Sequence, residues 1–284
     1  MKNDSQNRPK QPIRIDLEGV LRARLRRKVP GWIVRWLERV ICQDELNAML
    51  EYAFPRRGSA FCRAVLEHLD ITVNLVGEER LLAADNRRVT IVSNHPLGGL
   101  DGMALIDAVA RRYGCEPLFV VNDLLMAVEP LSEVFVPINK HGSQSRSAVE
   151  AVDAAMAGDR PVLVFPAGLC SRLIDGRVQD LEWNKMFMQK SRQYGRTIVP
   201  LHFEARNSMK FYRTALWRKR LHIPFNLEMV LLPSEIFRSR GKTFTIVCGS
   251  PVEPSTLPAE ARAAVAAVRS LSDALANDSS IKQP

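Results

Sequence analysis

The sequence has few cysteines and no arrangement of them that would hold a metal. Its 284 residues include five cysteines, with no C-x-x-C pair and no Cys-His cluster at zinc spacing. They are Cys42, Cys62, Cys115, Cys170 and Cys248. This scatter argues against a disulfide framework and against a zinc module, and it predicts free thiols in a reducing compartment.

Signals for export or for crossing a membrane are also lacking. The first residues are polar, with no apolar stretch before Ile13, unlike a signal peptide. No run of about 18 or more uncharged apolar residues occurs, so we expect no transmembrane helix. These features predict a cytoplasmic protein.

Common motifs of nucleotide-binding proteins and serine hydrolases are missing as well. The sequence contains no G-x-G-x-x-G and no G-x-S-x-G, and Gly241-Lys242-Thr243 lacks the upstream glycine of a P-loop. These absences argue against a P-loop, a Rossmann-type dinucleotide site and a serine-hydrolase nucleophile elbow.

Positive charge is concentrated near the N-terminus. The formal net charge is +9, and residues 1–40 hold eleven Lys or Arg against four Asp or Glu, a net of +7. Apolar residues recur at helical spacing over residues 17–28, and a second stripe over residues 31–41 contains Trp32 and Trp36. Basic amphipathic helices of this kind are typical of interfacial membrane anchors. Packing of the stripe against the protein's own core explains the pattern equally well.

The remaining pattern divides the chain into four regions. Residues 1–15 are predicted to be disordered, 16–69 to form a basic amphipathic helical region broken at Pro55, 70–257 an α/β domain, and 258–284 a C-terminal helix and tail. Strands are predicted at 71–76, 88–93, 117–121, 134–138, 161–165, 197–203, 227–231 and 243–248, and further helices at 102–113, 145–157, 182–194 and 258–275. This alternation predicts a mixed, mostly parallel sheet flanked by helices.

The most informative stretch lies between a predicted strand and a predicted helix. It reads Ser-Asn-His-Pro-Leu-Gly-Gly-Leu-Asp-Gly over residues 93–102. A turn of this type places side chains at the mouth of an α/β sheet, where ligands bind. His95 is suited to general base catalysis near pH 7 when a carboxylate such as Asp101 orients it. Asp101 is also a good candidate for the N-cap of the following helix.

Three further blocks follow or end predicted strands. They cover residues 134–140, 164–172 and 198–201, and read VFVPINK, VFPAGLCSR and IVPL. Pro166 and Pro200 are predicted to end their strands. Because the four blocks follow strands of one predicted sheet, we expect them to converge at one edge of it.

In order and separation, the four blocks resemble those of the glycerolipid acyltransferase family, which includes lysophosphatidate acyltransferases. The form N-H-P-L-G-G-L-D-G resembles a bacterial, hemolysin-like subgroup, some members of which O-acylate lyso-forms of amino-acid lipids such as ornithine and glycine lipids. The resemblance covers about residues 70–250. It implies a glycerol-3-phosphate acyltransferase-like fold and the transfer of a fatty acyl group.

The sequence departs from the family pattern at several positions. Five residues separate His95 from Asp101 where four are usual, and Gly98-Gly99 can absorb the extra one in a tight turn. Lys140 replaces the usual Arg and cannot make its bidentate contacts with phosphate. Ala167 replaces a Glu and Cys170 an Arg. These changes weigh against a glycerol phosphate acceptor and leave acyl transfer intact.

The resemblance assigns a role to each candidate residue. His95 is the general base and Asp101 orients it, while Asn94, Lys140, Gly168 and Arg172 are expected to bind substrate. A hydrogen bond within the loop is the alternative for Asn94, and a solvated charge is the alternative for Lys140. The acyl thioester, acyl-ACP or acyl-CoA, is a co-substrate, and the chemistry needs neither a cofactor nor a metal. The expected acceptor is a lyso-lipid hydroxyl.

Other partners and functions remain open at this stage. The stretch 206–222 holds six Lys or Arg and no acid, interleaved with aromatic residues. An anionic membrane surface fits it better than nucleic acid, and an ordinary solvated helix is a third interpretation. We therefore expect a peripheral protein on the inner face of the plasma membrane. The rival functions are a 1-acylglycerol-3-phosphate O-acyltransferase and a non-catalytic lipid-binding protein on the same fold.

Overall fold

The computed structural model describes residues 11–25, 29–81, 86–138 and 146–276. The helices in these ranges are α1 (Leu17–Leu25), α2 (Gly31–Val40), α3 (Gln43–Ala53), α4 (Gly58–His68), α5 (Leu100–Tyr113), α6 (Arg146–Ala157), α7 (Met186–Tyr194), α8 (Met209–Arg220), α9 (Leu232–Arg238) and α10 (Ala261–Leu275). The strands are β1 (Thr72–Val76), β2 (Val89–Ser93), β3 (Leu118–Asn122), β4 (Phe135–Ile138), β5 (Val162–Val164), β6 (Arg172–Ile174), β7 (Arg177–Gln179), β8 (Thr197–Glu204) and β9 (Thr243–Cys248).

Seven strands form one sheet in the order β1-β9-β8-β2-β5-β3-β4. All neighbours run parallel except β8 and β9, which are antiparallel. Every residue of β2 is buried, as expected for a central parallel strand covered on both faces. The predicted mixed, mostly parallel sheet flanked by helices is thus confirmed, and β2 carries the 93–102 turn out of its centre.

Helices cover both faces of the sheet. One apolar cluster joins one face to α3, α4 and α5, and a second joins the other face to α6, α7 and α10. The break predicted at Pro55 separates α3 from α4. The helical region of 16–69 and the α/β region therefore share one core, through side chains such as Met49 and Phe61.

A buried arginine closes the amino-terminal edge of the sheet. Arg196 is fully buried and donates hydrogen bonds to the carbonyl oxygens of Val89, Met156, Gly158 and Arg160. Burial is the main cause that lowers its pKa from 12.5 to about 10. These bonds connect the amino-terminal ends of neighbouring elements. Ligands of open α/β sheets bind at the opposite edge, outside the carboxyl ends of the strands.

One predicted strand and one predicted strand end are wrong. Residues 227–231 form a 3-10 helix in which the buried Glu228 contacts two arginines. A short apolar run does not by itself distinguish a strand from a helix. Pro200 lies inside β8 instead of ending it. The ladder between β8 and β9 begins only at Leu201, so it does not need the N–H group that Pro200 lacks. Pro166 does follow the end of β5, as predicted.

The N-terminal stripe is divided between core and solvent. In α2, Val34 is buried, whereas Trp32 and Trp36 are 68% and 55% exposed. The five cysteines are free thiols, as predicted. Among the described helices, none has both the length and the apolar composition needed to cross a bilayer.

Candidate active site

The turn after β2 brings a histidine and a carboxylate together. β2 ends at Ser93 and α5 begins at Leu100, two residues earlier than predicted. Asp101 therefore lies in the first turn of α5 and is not its N-cap, which is Gly99. His95 Nδ1 lies 2.9 Å from Asp101 Oδ2.

Asp101 is held by a nearly complete set of hydrogen bonds. Its side chain is fully buried, and Oδ2 also accepts the backbone N–H groups of Leu97 (2.8 Å) and Gly98 (3.3 Å), while Oδ1 accepts that of Gly102 (2.9 Å). Burial by itself raises the pKa of Asp101, but the charge of His95 and these hydrogen bonds outweigh burial and lower the pKa below its ordinary value. The carboxylate is therefore ionised at neutral pH.

The carboxylate fixes which tautomer a neutral imidazole adopts. A carboxylate only accepts hydrogen bonds, so Nδ1 of His95 carries a proton, and in the neutral ring Nε2 is the nitrogen with the free lone pair. No described residue hydrogen-bonds Nε2. The ring stacks on Phe165 with centroids 4.0 Å apart and an interplanar angle of 19°. The side chain of His95 is 14% exposed, so its free nitrogen is a base with restricted access to solvent.

The turn itself is shaped by glycine. Gly98 has a φ of +86°, and a Cβ at this position would lie 3.0 Å from Leu232 Cδ1. The conformation and the close approach both favour glycine, as expected for the extra residue of this turn.

The backbone of His95 has two partners that sequence reasoning missed. Its N–H group donates to Asp180 Oδ1 (3.2 Å), and its carbonyl oxygen accepts the N–H group of Ser171 (2.7 Å). Asp180 lies 85 residues away along the chain, in a segment without a repeating pattern, so only the fold reveals the contact.

His95 opens onto a large apolar cavity of about 840 Å³. The cavity lies along the carboxyl ends of the central strands. The lining residues include Phe119, Phe165 and Gly102, together with His95. Its walls also come from several helices, with residues such as Leu46, Met49, Leu50, Val65, Ile106, Ala148, Val152 and Met186. Its volume and composition are those of a site for a largely apolar ligand.

The predicted substrate-binding residues have different positions. Gly168 lines the cavity beside His95 and has a φ of +64°. Asn94 instead ties two strands together: its side-chain amide donates to the carbonyl oxygen of Phe203 (3.0 Å), and its side-chain oxygen accepts the N–H group of the same residue (2.7 Å). Lys140 lies outside the described residues. A substrate role for these residues stays a prediction.

Arg172 has protein partners away from the described cavity lining. Its guanidinium group is buried, donates to Glu228 Oε1 (3.2 Å) and to the carbonyl oxygen of Cys170 (2.6 Å), and lies over the ring of Phe211. Glu228 is fully buried and also pairs with Arg218 at 2.9 Å. These contacts account for Arg172 without a substrate, so its predicted role in binding an anion gains no support from them.

The four sequence blocks converge only in part. The first and third blocks meet through the stacking of His95 on Phe165, and the second contributes Phe135 and Ile138 to the cavity wall. The fourth lies next to β2 in the sheet but is not part of the cavity lining. Its contribution is to support the strand that carries His95.

The histidine–carboxylate pair at the wall of an apolar cavity is an arrangement that can supply a general base to a bound ligand. A family model described as acyltransferase matches residues 20–279. The chain belongs to this family and is an acyltransferase.

Two curated relatives are similar over most of their length. Lyso-glycine lipid O-acyltransferase from Phocaeicola vulgatus is 43% identical over 241 residues, which cover 84% of this chain and 86% of the relative. The protein of the same name from Bacteroides thetaiotaomicron is 41% identical, over 84% of this chain and 88% of the relative. The solved structure of the 1-acyl-sn-glycerophosphate (LPA) acyltransferase PlsC from Thermotoga maritima covers 87% of this chain and 92% of its own, with 15% identity and a TM-score of 0.47.

Proposed function

We propose that this acyltransferase moves a fatty acyl group from an acyl thioester to the hydroxyl group of a lyso-lipid, with His95 as the general base. The observation that carries the proposal is the position of His95 Nε2, which no described residue hydrogen-bonds, at the wall of an apolar cavity of about 840 Å³. The buried Asp101 keeps the proton of the neutral imidazole on Nδ1.

The proposed reaction is a single acyl transfer. Nε2 of His95 takes the proton of the acceptor hydroxyl while its oxygen attacks the thioester carbonyl carbon. The tetrahedral intermediate collapses, the carbon–sulfur bond breaks, and the imidazolium returns the proton to the thiolate. Asp101 stabilises the imidazolium while it exists. The products are an ester and a free thiol, and the steps need no cofactor or metal.

We assign the acceptor to the lyso-glycine lipid class. Two relatives above 40% identity carry that name, and both align over more than four fifths of this chain. The apolar wall formed by residues such as Met49 and Val152 suits a long alkyl chain. Lysophosphatidate is the alternative acceptor, and Ala167 and Cys170 differ from the residues of the resembled family at positions linked to phosphate.

The donor is a thioester of acyl-carrier protein or of coenzyme A. Both present the same reacting carbonyl group, so the proposed chemistry is common to them. A direct comparison of the two thioesters at equal concentration decides which one the enzyme uses.

The experiment that tests the reaction uses purified protein, an isotopically labelled acyl thioester and a panel of lyso-lipids, with products identified by mass spectrometry. We expect ester formation on lyso-glycine lipid and its loss in His95→Ala. His68→Ala is the matched control, because His68 is a half-buried helical histidine that packs on Tyr52 and is not part of the cavity lining. Full activity of His95→Ala would refute the mechanism, and esterification of lysophosphatidate alone would replace the acceptor.

We also propose that the enzyme docks on an anionic bilayer through two surfaces. The first is α2, with its exposed Trp32 and Trp36. The second consists of α8 and the segment after it. There Trp217, Leu221 and Phe225 are each more than 60% exposed, next to the exposed Lys219 and Arg220 in the last turn of α8. Aromatic side chains at headgroup depth and cations facing anionic lipids are the usual elements of such a surface.

Vesicle flotation tests the two surfaces separately. The variants Trp32→Ser/Trp36→Ser and Trp217→Ser/Phe225→Ser should each bind phosphatidylglycerol vesicles more weakly than wild type, and binding should fall with added salt. Leu271→Ser, which replaces an exposed leucine of α10, is the control. Unchanged binding by both double variants would exclude this mode of docking.

A further inference from the structure

A buried carboxylate other than Asp101 hydrogen-bonds the backbone of the catalytic turn, residues 93–102, which carries His95 and Asp101. Asp180 is 7% exposed and follows β7 in the segment before α7. Its Oδ1 atom accepts the N–H group of His95 (3.2 Å) and the hydroxyl group of Ser171 (2.6 Å). Its Oδ2 atom accepts the indole N–H group of Trp183 (3.0 Å).

The three donors around Asp180 are neutral, and no described Lys or Arg forms an ion pair with this carboxylate. A buried charge is costly unless hydrogen bonds compensate it. A carboxylate can accept from all three sides at once, whereas an amide can only accept through its oxygen. The arrangement therefore requires an acid at this position.

Asp180 and Ser171 together fix both backbone groups of His95. The N–H group of Ser171 donates to the carbonyl oxygen of His95 (2.7 Å), and the Ser171 hydroxyl lies 3.3 Å from the same oxygen. Asp180 accepts the hydrogen bond of the His95 N–H group, so both polar backbone groups of His95 have a partner. With Nδ1 bound to Asp101, the main chain and the ring of His95 are both restrained.

The segment that carries Asp180 is itself anchored to the body of the protein. Arg269 of α10 donates to the carbonyl oxygens of Asp180 (3.0 Å) and Leu181 (3.2 Å). Trp183 is buried and packs edge-on against Phe187 of α7. The segment that carries Asp180 is thus held by α7 and α10, and its carboxylate in turn restrains the catalytic turn.

We infer that Asp180 is a positioning residue for acyl transfer: through the backbone of His95 and Ser171, it holds the imidazole where Nε2 meets the acceptor hydroxyl. The inference rests on the proposed role of His95 as the base. Asp180 is not part of the described cavity lining, so it is expected to act through His95 and not on the substrate. Its loss should therefore lower kcat and leave KM nearly unchanged.

The test compares Asp180→Ala and Asp180→Asn with Asp107→Asn in steady-state acyl transfer. Asp107 is similarly buried, on α5, but contacts Arg63 and Arg111 and not the catalytic turn. A displacement of about 1 Å in a catalytic group can cost about 100-fold, so we expect kcat of Asp180→Ala to fall by roughly that factor. Asp180→Asn keeps one acceptor oxygen and should lose less, and Asp107→Asn should match wild type.

A second variant separates positioning from folding. In Asp180→Asn the new NH2 group faces the indole N–H group of Trp183, donor against donor. Adding Trp183→Phe removes that conflict, and we expect the double variant to recover kcat relative to Asp180→Asn. The His95 ring signals of histidine-labelled protein should shift in Asp180→Asn and return toward wild type in the double variant.

The outcomes are distinguishable. Wild-type kcat in folded Asp180→Ala, or in Asp180→Asn if the alanine variant does not fold, would overturn the inference while loss of activity in His95→Ala still supports the base. Activity retained in His95→Ala would instead reject the proposed function. A loss that appears only in KM would assign Asp180 to substrate binding and would also overturn the inference.

Discussion

Replacement of Asp101 by asparagine tests the electrostatics of the site most directly. The side chain keeps its size, so the turn can keep its path, but the charge that faces the imidazolium is lost. In the wild type, Oδ2 accepts hydrogen bonds from His95, Leu97 and Gly98. The asparagine side-chain oxygen is therefore expected to occupy the position of Oδ2. The amide NH2 group then faces the N–H group of Gly102, which loses its acceptor.

The expected effect follows from the distance. Asp101 is fully buried and its Oδ2 lies 2.9 Å from His95 Nδ1, which puts the two charge centres ~4 Å apart. Unit charges at that separation attract by about 4 kcal/mol at an effective dielectric constant of ~20. The attraction exists only once His95 is protonated in the transition state, so kcat should fall about 10³-fold. The lost acceptor of Gly102 should cost a further ~1–3 kcal/mol of stability.

The assay measures kcat and KM for donor and acceptor, together with urea unfolding, in Asp101→Asn, wild type and the Asp107→Asn control. KM should change little, since the proposed base gains its proton, and with it the attraction to Asp101, only in the transition state. If kcat fell less than about 10-fold in a folded protein, Asp101 would not stabilise a cationic histidine, and the general-base mechanism would fail.

Three further predictions concern pH, the turn and the cavity. The pKa of Asp101 is lowered in the folded protein, so its ionised form stabilises the fold above its unfolded pKa near 3.8. That contribution is lost as the pH falls through the folded pKa, so urea unfolding of wild type and Asp101→Asn should converge below about pH 4. Gly98→Ala combines a φ of +86° with a contact to Leu232, and should lower the unfolding free energy by about 1–3 kcal/mol, with no full rescue by Leu232→Ala. Met49→Trp fills part of the cavity, so competition between labelled thioesters should shift the product toward shorter acyl chains, and an unchanged chain-length profile would place the acyl chain elsewhere.

The central part of the site was accessible from sequence because it is local. His95 and Asp101 are six residues apart, between a continuous apolar strand and a helix, and that spacing is sufficient to predict their contact. The mixed sheet was also predictable, since its buried strands are short β-branched runs separated by helices. The β6–β7 pair was not among the predicted strands, although the Asp175-Gly176 sequence between them is typical of a hairpin turn and both residues have positive φ.

The remaining features depend on contacts between distant segments. Whether Arg172 faces a ligand or the protein depends on Glu228, 56 residues later, whose carboxylate attracts it into the interior. The hydrogen bond that the His95 N–H group donates depends on Asp180, 85 residues later. No periodicity links such positions, and a lone Asp in an irregular segment is compatible with simple exposure. The same limit hid the contribution of α3 and α4 to the cavity.

Position 170, where the resembled family has an arginine, is occupied by a buried cysteine. Cys170 is 1% exposed and packs with Phe211 and Tyr212 of α8, and burial is the main cause that raises the pKa of its thiol. The side chain thus contacts the α8 layer and is not part of the described cavity lining. Arg172 is drawn to the same side by Glu228. An arginine at position 170 would have to enter a packed apolar cluster next to an existing cation. The small side chain at position 170 is therefore matched by its packed surroundings.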